Sequence, residues 1–263
     1  YPVKKEVLDA FCREETTFYG NANSLHEAGK ASQKEYLRLL DSISSLLCLD
    51  KEKQEVILTS SATESNNMVI KGLFEAYSGT SSTFLSSEME HSSINGTLAY
   101  LKDKGANIQL VKTDKNGHMD FSDFQQKATS HPLLTCLTCC ESETGTIQDY
   151  LKFQKYIREN QLGYLLLDAT QAIGKIPLSL KDVDFISFAP HKFGGILGSG
   201  ILIKRRDVVL TPLIHGGKSI SLYRSSTPCL GLLASVECAL RIALSSQQEN
   251  FKKVKKLRDR FLK

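Results

Sequence analysis

Short apolar runs alternate along this chain with longer stretches whose apolar residues recur three and four positions apart. Residues 56–59, 83–86, 108–113, 133–139, 164–167, 185–188 and 201–204 are compact apolar segments and predict strands. Between most of them lie segments with helical spacing, at 65–77, 92–104, 121–128 and 150–160. Such alternation predicts an α/β architecture, a mainly parallel sheet between helices on both faces. Ligands of such sheets sit at the carboxyl ends of the strands, so the residues that follow each strand are the ones to search. Near the end, Phe251, Val254, Leu257 and Phe261 recur at helical spacing among Lys252, Lys253, Lys255, Lys256, Arg258 and Arg260. They predict a surface helix with a solvated basic face.

Composition narrows the class. The 263 residues are 41% hydrophobic and 24% charged, with a formal charge of +4 spread along the chain. That is enough for one large globular α/β domain, and the balance is too mild to call for nucleic acid or an anionic membrane as partner. No apolar run approaches the ~20 residues that span a bilayer. The opening Tyr1-Pro2-Val3-Lys4-Lys5-Glu6 has neither an initiator Met nor a basic-then-apolar leader, and the chain is expected to begin inside a longer protein. Seven cysteines at irregular spacing fit free thiols in a reducing compartment, the cytoplasm by default. Cys136 and Cys139 lie three apart on a predicted strand and so face opposite sides, which argues for buried structural thiols and no metal site.

Four segments carry candidate chemistry. Thr59-Ser60-Ser61-Ala62-Thr63-Glu64-Ser65-Asn66-Asn67 follows the first strand and opens a helix. Its small hydroxyl residues either cap that helix or, with the free N–H groups there, cradle an anion. Asp168 ends the apolar run Leu165-Leu166-Leu167 and must cap a turn, pair with a lysine or hold a cationic ring nitrogen. His191 and Lys192 stand just past the strand 185–188, ahead of Gly194-Gly195. Lys192 lies 24 residues beyond Asp168, one βα unit away, which brings an amine and a carboxylate to one sheet edge. Pyridoxal phosphate (PLP) chemistry needs that pair, a lysine for covalent attachment and an acid to keep the pyridine nitrogen protonated. His91, after the strand 83–86, is either a structural histidine or one that stacks on a ring or moves a proton.

Together these segments resemble the class V aminotransferase group and, within it, the NifS-like cysteine desulfurases. Gly20-Asn21-Ala22-Asn23-Ser24-Leu25-His26, residues 59–67, Glu90-His91, Asp168-Ala169-Thr170-Gln171-Ala172-Ile173-Gly174-Lys175, His191-Lys192, His215-Gly216-Gly217 and Arg224-Ser225-Ser226-Thr227 fall in the family's order. The resemblance implies the large domain of a fold type I PLP-dependent transferase with a seven-stranded sheet. It implies residues 1–246 as the PLP-binding domain and 247–263 as a helix leading to a small domain absent from this chain. By the same resemblance Lys192 holds PLP covalently and shuttles protons, and Asp168 pairs with the ring nitrogen. Gln171 meets the ring's phenolic oxygen, and His91 stacks on the ring as acid and base. Ala62, Thr63 and His191 hold the phosphate, and Thr227 reaches the phosphate of a partner subunit, so a homodimer is implied.

Three positions depart from the family's pattern. Ser142 stands where relatives carry Asn against the cofactor, and Ser226 where they carry Gly. Ala189 stands where they carry a phosphate-binding Ser, so that contact is either lost or supplied by Ser187. The desulfurase reaction, L-cysteine to L-alanine with sulfur passed to an enzyme cysteine and on to an acceptor protein in iron–sulfur cluster assembly, needs a mobile cysteine loop. No cysteine here sits in that context, so this chain alone is expected not to turn over cysteine. Two rival readings are another class V enzyme, such as a selenocysteine lyase or an aminotransferase, and a non-catalytic scaffold with this fold.

Overall fold

The computed structural model describes residues 1–77, 82–217 and 219–262. Two helices, α1 (Lys5–Thr17) and α2 (Glu27–Leu46), precede the first strand. There follow β1 (Gln54–Thr59), α3 (Ala62–Ala76), β2 (Thr83–Ser86), α4 (Ser92–Lys102), β3 (Asn107–Leu110), α5 (Phe121–Ala128), β4 (Leu134–Thr138), α6 (Tyr150–Glu159), β5 (Tyr164–Asp168) and β6 (Phe185–Phe188). After a 3₁₀ turn at Pro190–Phe193 come β7 (Gly200–Arg205), α7 (Leu230–Ser245) and α8 (Gln247–Phe261). The seven strands form one sheet in the order β1-β7-β6-β5-β4-β2-β3, parallel except for β7, which runs against both of its neighbours.

Strand alternation divides the core into two layers. Val56, Leu137, Leu165, Leu167, Ile186, Ile201 and Ile203 pack beneath α1, α2, α5, α6 and α7. Ile57, Cys136, Leu166, Phe185 and Leu202 point the other way, to Met68, Val69, Ile70 and Leu73 of α3 and Ile94, Leu98 and Leu101 of α4. Cys136 and Cys139 fall in opposite layers, as their spacing predicts. Among the described residues no cluster of His, Cys, Asp or Glu is arranged to hold a metal, and no helix is long and apolar enough to cross a membrane.

Two expected strands run shorter. The 108–113 run ends its ladder where the Val111 amide donates to Ser86 (2.7 Å). Thr113 then turns back to pair with Met119. At 133–139 the regular strand is Leu134–Thr138. Helix α8 forms over the expected apolar stripe, but every residue of it beyond the half-buried Gln247 is exposed, Phe251 at 44% and Phe261 at 88%.

Candidate functional site

From β2 the chain runs outward to β3 and returns to β4 on β2's other side, with α4 in one layer and α5 in the other. Connections that diverge in this way leave a crevice at the carboxyl ends of the strands. Here it is a cleft of about 320 Å3. Ser61, Ala62 and Thr63 line it from the start of α3, and Met89, His91 and Ser93 from the β2–α4 junction. Thr138, Cys140, Glu141 and Ser142 contribute after β4, Asp168, Thr170 and Gln171 after β5, and Ala189, His191 and Lys192 after β6. Eight residues singled out from sequence therefore meet in one cleft: Ala62, Thr63, His91, Ser142, Asp168, Gln171, His191 and Lys192.

Ser187 and Thr227 are not brought there. Ser187 lies within β6 on the same side of the strand as Phe185, fully buried, and its hydroxyl finds no partner. Thr227 lines a separate cleft of about 150 Å3 with Ser60, Arg224 and Ser226.

The α3 wall is built by local capping. Ser61 Oγ accepts from the Glu64 amide (3.1 Å), while the Glu64 carboxylate accepts from the Ser60 amide (2.7 Å). This reciprocal cap leaves the Ala62 and Thr63 amides without intrahelical acceptors, at the positive end of the helix dipole. Glu64 also pairs with Arg224 at 2.5 Å, which ties the helix start to the second cleft. Gly200 lets β7 pass beneath this loop, since a Cβ there would sit 2.3 Å from the carbonyl carbon of Ser61.

Asp168, 4% exposed, ends β5. Its Oδ1 accepts from the Thr170 amide and its Oδ2 from Asn66 Nδ2, both at 3.0 Å. Among the described residues it takes part in no ion pair. A buried carboxylate held only by neutral donors keeps an unmet demand for a cation. Thr170 Oγ1, on the same wall, is buried without a partner.

His91 is the N-cap of α4 and remains exposed to the cleft. Its Nδ1 accepts from the Ser93 amide (3.1 Å) and lies 2.9 Å from Ser93 Oγ. Beneath it Glu90 is buried between Thr138 Oγ1 (2.5 Å) and Ser87 Oγ (3.1 Å). Burial pushes its carboxyl up to about 8, with the Asp168 charge adding to the rise against the hydroxyls of Thr138 and Ser87.

On the opposite wall Lys192 and His191, both half-buried, ride the 3₁₀ turn. Gly194, at φ +95°, ends that turn in the left-handed region that suits glycine. Burial, and then the neighbouring Lys192 and Lys175, hold the His191 ring below its usual range. Lys175 is likewise lowered, first by burial, and Gln171 Oε1 accepts from its ammonium at 2.5 Å. Ser142 is exposed and its hydroxyl donates to Glu141 Oε1 at 3.2 Å.

Asn66, Ser93, Glu90 and Thr138 escaped the sequence reading as site residues. Asn66 left one signal: it falls four residues before Ile70 and seven before Leu73, on the buried face of α3. A buried amide there requires partners.

The sequence pattern of the family described as "Aminotransferase class-V" matches residues 2–229. The chain belongs to this family. It is 31% identical over 263 residues to cysteine desulfurase IscS of Methanosarcina thermophila, covering 99% of this chain and 64% of that one. The IscS of Dictyoglomus turgidum is 29% identical over 267 residues, covering 100% of this chain and 66% of its own. This family member thus spans a little under two thirds of the length of those relatives. Among solved structures, a NifS-like protein superposes with a TM-score of 0.94 at 29% identity, over 100% of this chain and 72% of that one. DndA from Streptomyces lividans gives 0.87 at 27% identity, over 99% and 74%. The fold is that of the large domain of the NifS-like, PLP-dependent fold type I proteins, and PLP is the cofactor of the family.

Proposed function

We propose that the cleft binds PLP and that the whole protein is a PLP-dependent cysteine desulfurase. The observation that carries the reading is Asp168, a buried carboxylate with no ion-pair partner among the described residues, sharing a cleft with the amine of Lys192. A protonated pyridine nitrogen is the cation that such a carboxylate lacks. The unpartnered Thr170 hydroxyl and the free amides at the start of α3 add acceptors and donors that suit a small phosphorylated ligand. The residues present therefore fit PLP.

In this reading Lys192 attaches the cofactor and carries protons to and from the amine-bearing carbon of the substrate. Asp168 keeps the ring nitrogen protonated. Ala62 and Thr63 receive the phosphate from the α3 end, with His191 beside it. His91 lays its flat ring against the cofactor and serves as acid and base. Gln171 serves the phenolic oxygen, with Ser142 as a single donor where relatives carry Asn. Ser187, buried and away from the cleft, is left out of the phosphate site. When bound, PLP supplies an electron sink that weakens the bonds of the amine-bearing carbon.

The substrate is L-cysteine, the carbon product L-alanine, and the sulfur leaves as a persulfide on a cysteine outside these 263 residues. From there it passes to an acceptor protein in the cytoplasm, for iron–sulfur cluster assembly. Thr227, in its separate cleft, would serve the phosphate of a partner subunit in a homodimer. Residues 1–246 would be the cofactor domain and 247–263 the helix that leads out of it.

PLP titration into the purified chain, followed by visible absorbance, tests the cofactor site. The parent should gain the yellow band of lysine-bound PLP and Lys192→Ala should not, with circular dichroism alike in both. A folded parent that takes up no PLP would refute the proposal.

A further inference from the structure

We propose that Asn66 and Ser93 are positioning residues that relay the charge of Asp168 to His91 and hold the His91 ring in the tautomer with its proton on Nε2. This rests on the reading of His91 as the residue that faces the cofactor ring. The relay itself is visible without any cofactor. Asn66 Nδ2 donates to Asp168 Oδ2 at 3.0 Å and to Ser93 Oγ at 2.9 Å, and Ser93 Oγ lies 2.9 Å from His91 Nδ1.

The direction of each bond follows from donor and acceptor counting. A carboxylate only accepts, so the Asn66 amide must turn its NH2 group toward Asp168. The same nitrogen then has its second hydrogen for Ser93 Oγ. That leaves Asn66 Oδ1 as the odd atom out, buried and without a partner, which is the cost of this orientation. Ser93 Oγ accepts from Asn66, so its single hydrogen is free for His91 Nδ1. The Ser93 backbone amide donates to the same nitrogen at 3.1 Å. With two donors converging on it, Nδ1 is an acceptor, and the neutral ring carries its hydrogen on Nε2.

Asn66 is fully buried and Ser93 is 7% exposed, whereas His91 is exposed, so the relay is a fixed interior support for a ring that stands free in the cleft. Asn66, Ser93 and Asp168 come from α3, α4 and β5, so the support also locks the α3–α4 pair to the sheet edge. Loss of the Asp168 charge would remove the reason for the Asn66 orientation. A rotated Asn66 would face Ser93 with its oxygen and draw the hydroxyl hydrogen away from His91.

The tautomer is read from ring-nitrogen NMR of the cofactor-free protein labelled with 15N-histidine. A His91→Asn variant identifies the signal among six histidines. The parent should show an unprotonated Nδ1 and a protonated Nε2 in the neutral ring. Ser93→Ala and Asn66→Leu should raise the Nδ1-protonated fraction severalfold, and Ser93→Thr, which keeps the hydroxyl, should restore the parent pattern. A parent protonated on Nδ1, or a tautomer ratio unmoved by Ser93→Ala, would overturn the relay. If the buried Asn66→Leu change prevents folding, the Ser93→Ala and Ser93→Thr pair alone decides. Because no cofactor is present, failure here is separate from failure of the PLP titration. A parent that takes up PLP yet shows an unmoved tautomer loses only the relay.

Discussion

Two buried aspartates stand at opposite ends of the same pair of strands. Asp184 immediately precedes β6 and is 3% exposed; Asp168 closes β5 and is 4% exposed. Asp184 accepts from the Leu165 amide (2.9 Å) and from Arg205 (2.9 Å), with Arg158 at 3.8 Å. Asp168 has two neutral donors and no cation among the described residues. Burial and hydrogen-bond number are nearly equal, so the difference is charge compensation. A carboxylate with its cation built in is a fixture of the sheet's amino end. One that lacks a cation, at the carboxyl end where a cleft opens, is poised to take a cation from a ligand.

Substituting each aspartate breaks the comparison most directly. Asp184→Ala leaves the Leu165 amide without its acceptor and Arg205 with Asp207 alone, and should lower stability by about 2–4 kcal/mol in urea unfolding. Asp168→Asn removes a charge that no ion pair among the described residues compensates, so its stability should stay within about 1 kcal/mol of the parent. PLP uptake should instead fall by tenfold or more. Equal stability losses at the two sites would mean that Asp168 is a structural residue after all.

A third buried carboxyl, Glu90, sharpens the contrast, because it meets the same low-dielectric edge by staying protonated. Its ordinary value near 4.5 is pushed up to about 8 by burial, with Asp168 adding its charge. In that window the folded state binds a proton that the unfolded state has lost. Glu90 therefore costs stability progressively as pH rises from about 4.5 through 8, and costs nothing at lower pH. Glu90→Gln should unfold at a higher urea concentration than the parent at pH 9, by about 1–3 kcal/mol, and the gap should close toward pH 4. A gap that widens on acidification would show that Glu90 is ionised in the fold.

Much of this was legible in the chain. The strands were visible because each is a short apolar run cut off by polar or glycine residues, and the cleft residues because they follow those runs directly. Helix α7 was not, since Leu230–Ser245 is apolar on nearly every face and has little periodicity to read. Ser187 still lies inside β6 on the side of Phe185, while Ala189, two residues on and past the strand's end, reached the cleft. Asn66 and Ser93 were hidden for a different reason. Each is a polar residue at a helix start, and only the fold brings Asn66 to a partner 102 residues away and Ser93 to the same amide.

The smallest effect concerns how Asp184 is compensated. Arg205 touches it at 2.9 Å with a side chain 31% exposed, while Arg158 stands at 3.8 Å and is 46% exposed. Solvent screens the longer contact, and Arg158 also donates to the Asp182 carbonyl, an exposed bond that water can replace. Arg158→Ala should therefore cost no more than about 0.5 kcal/mol in urea unfolding, against a clearly larger loss for Arg205→Ala. Equal losses would mean that the Asp184 charge is shared between two cations. The built-in compensation would then be a diffuse field at the amino end of the sheet, and the contrast with Asp168 would rest on that field in place of one guanidinium.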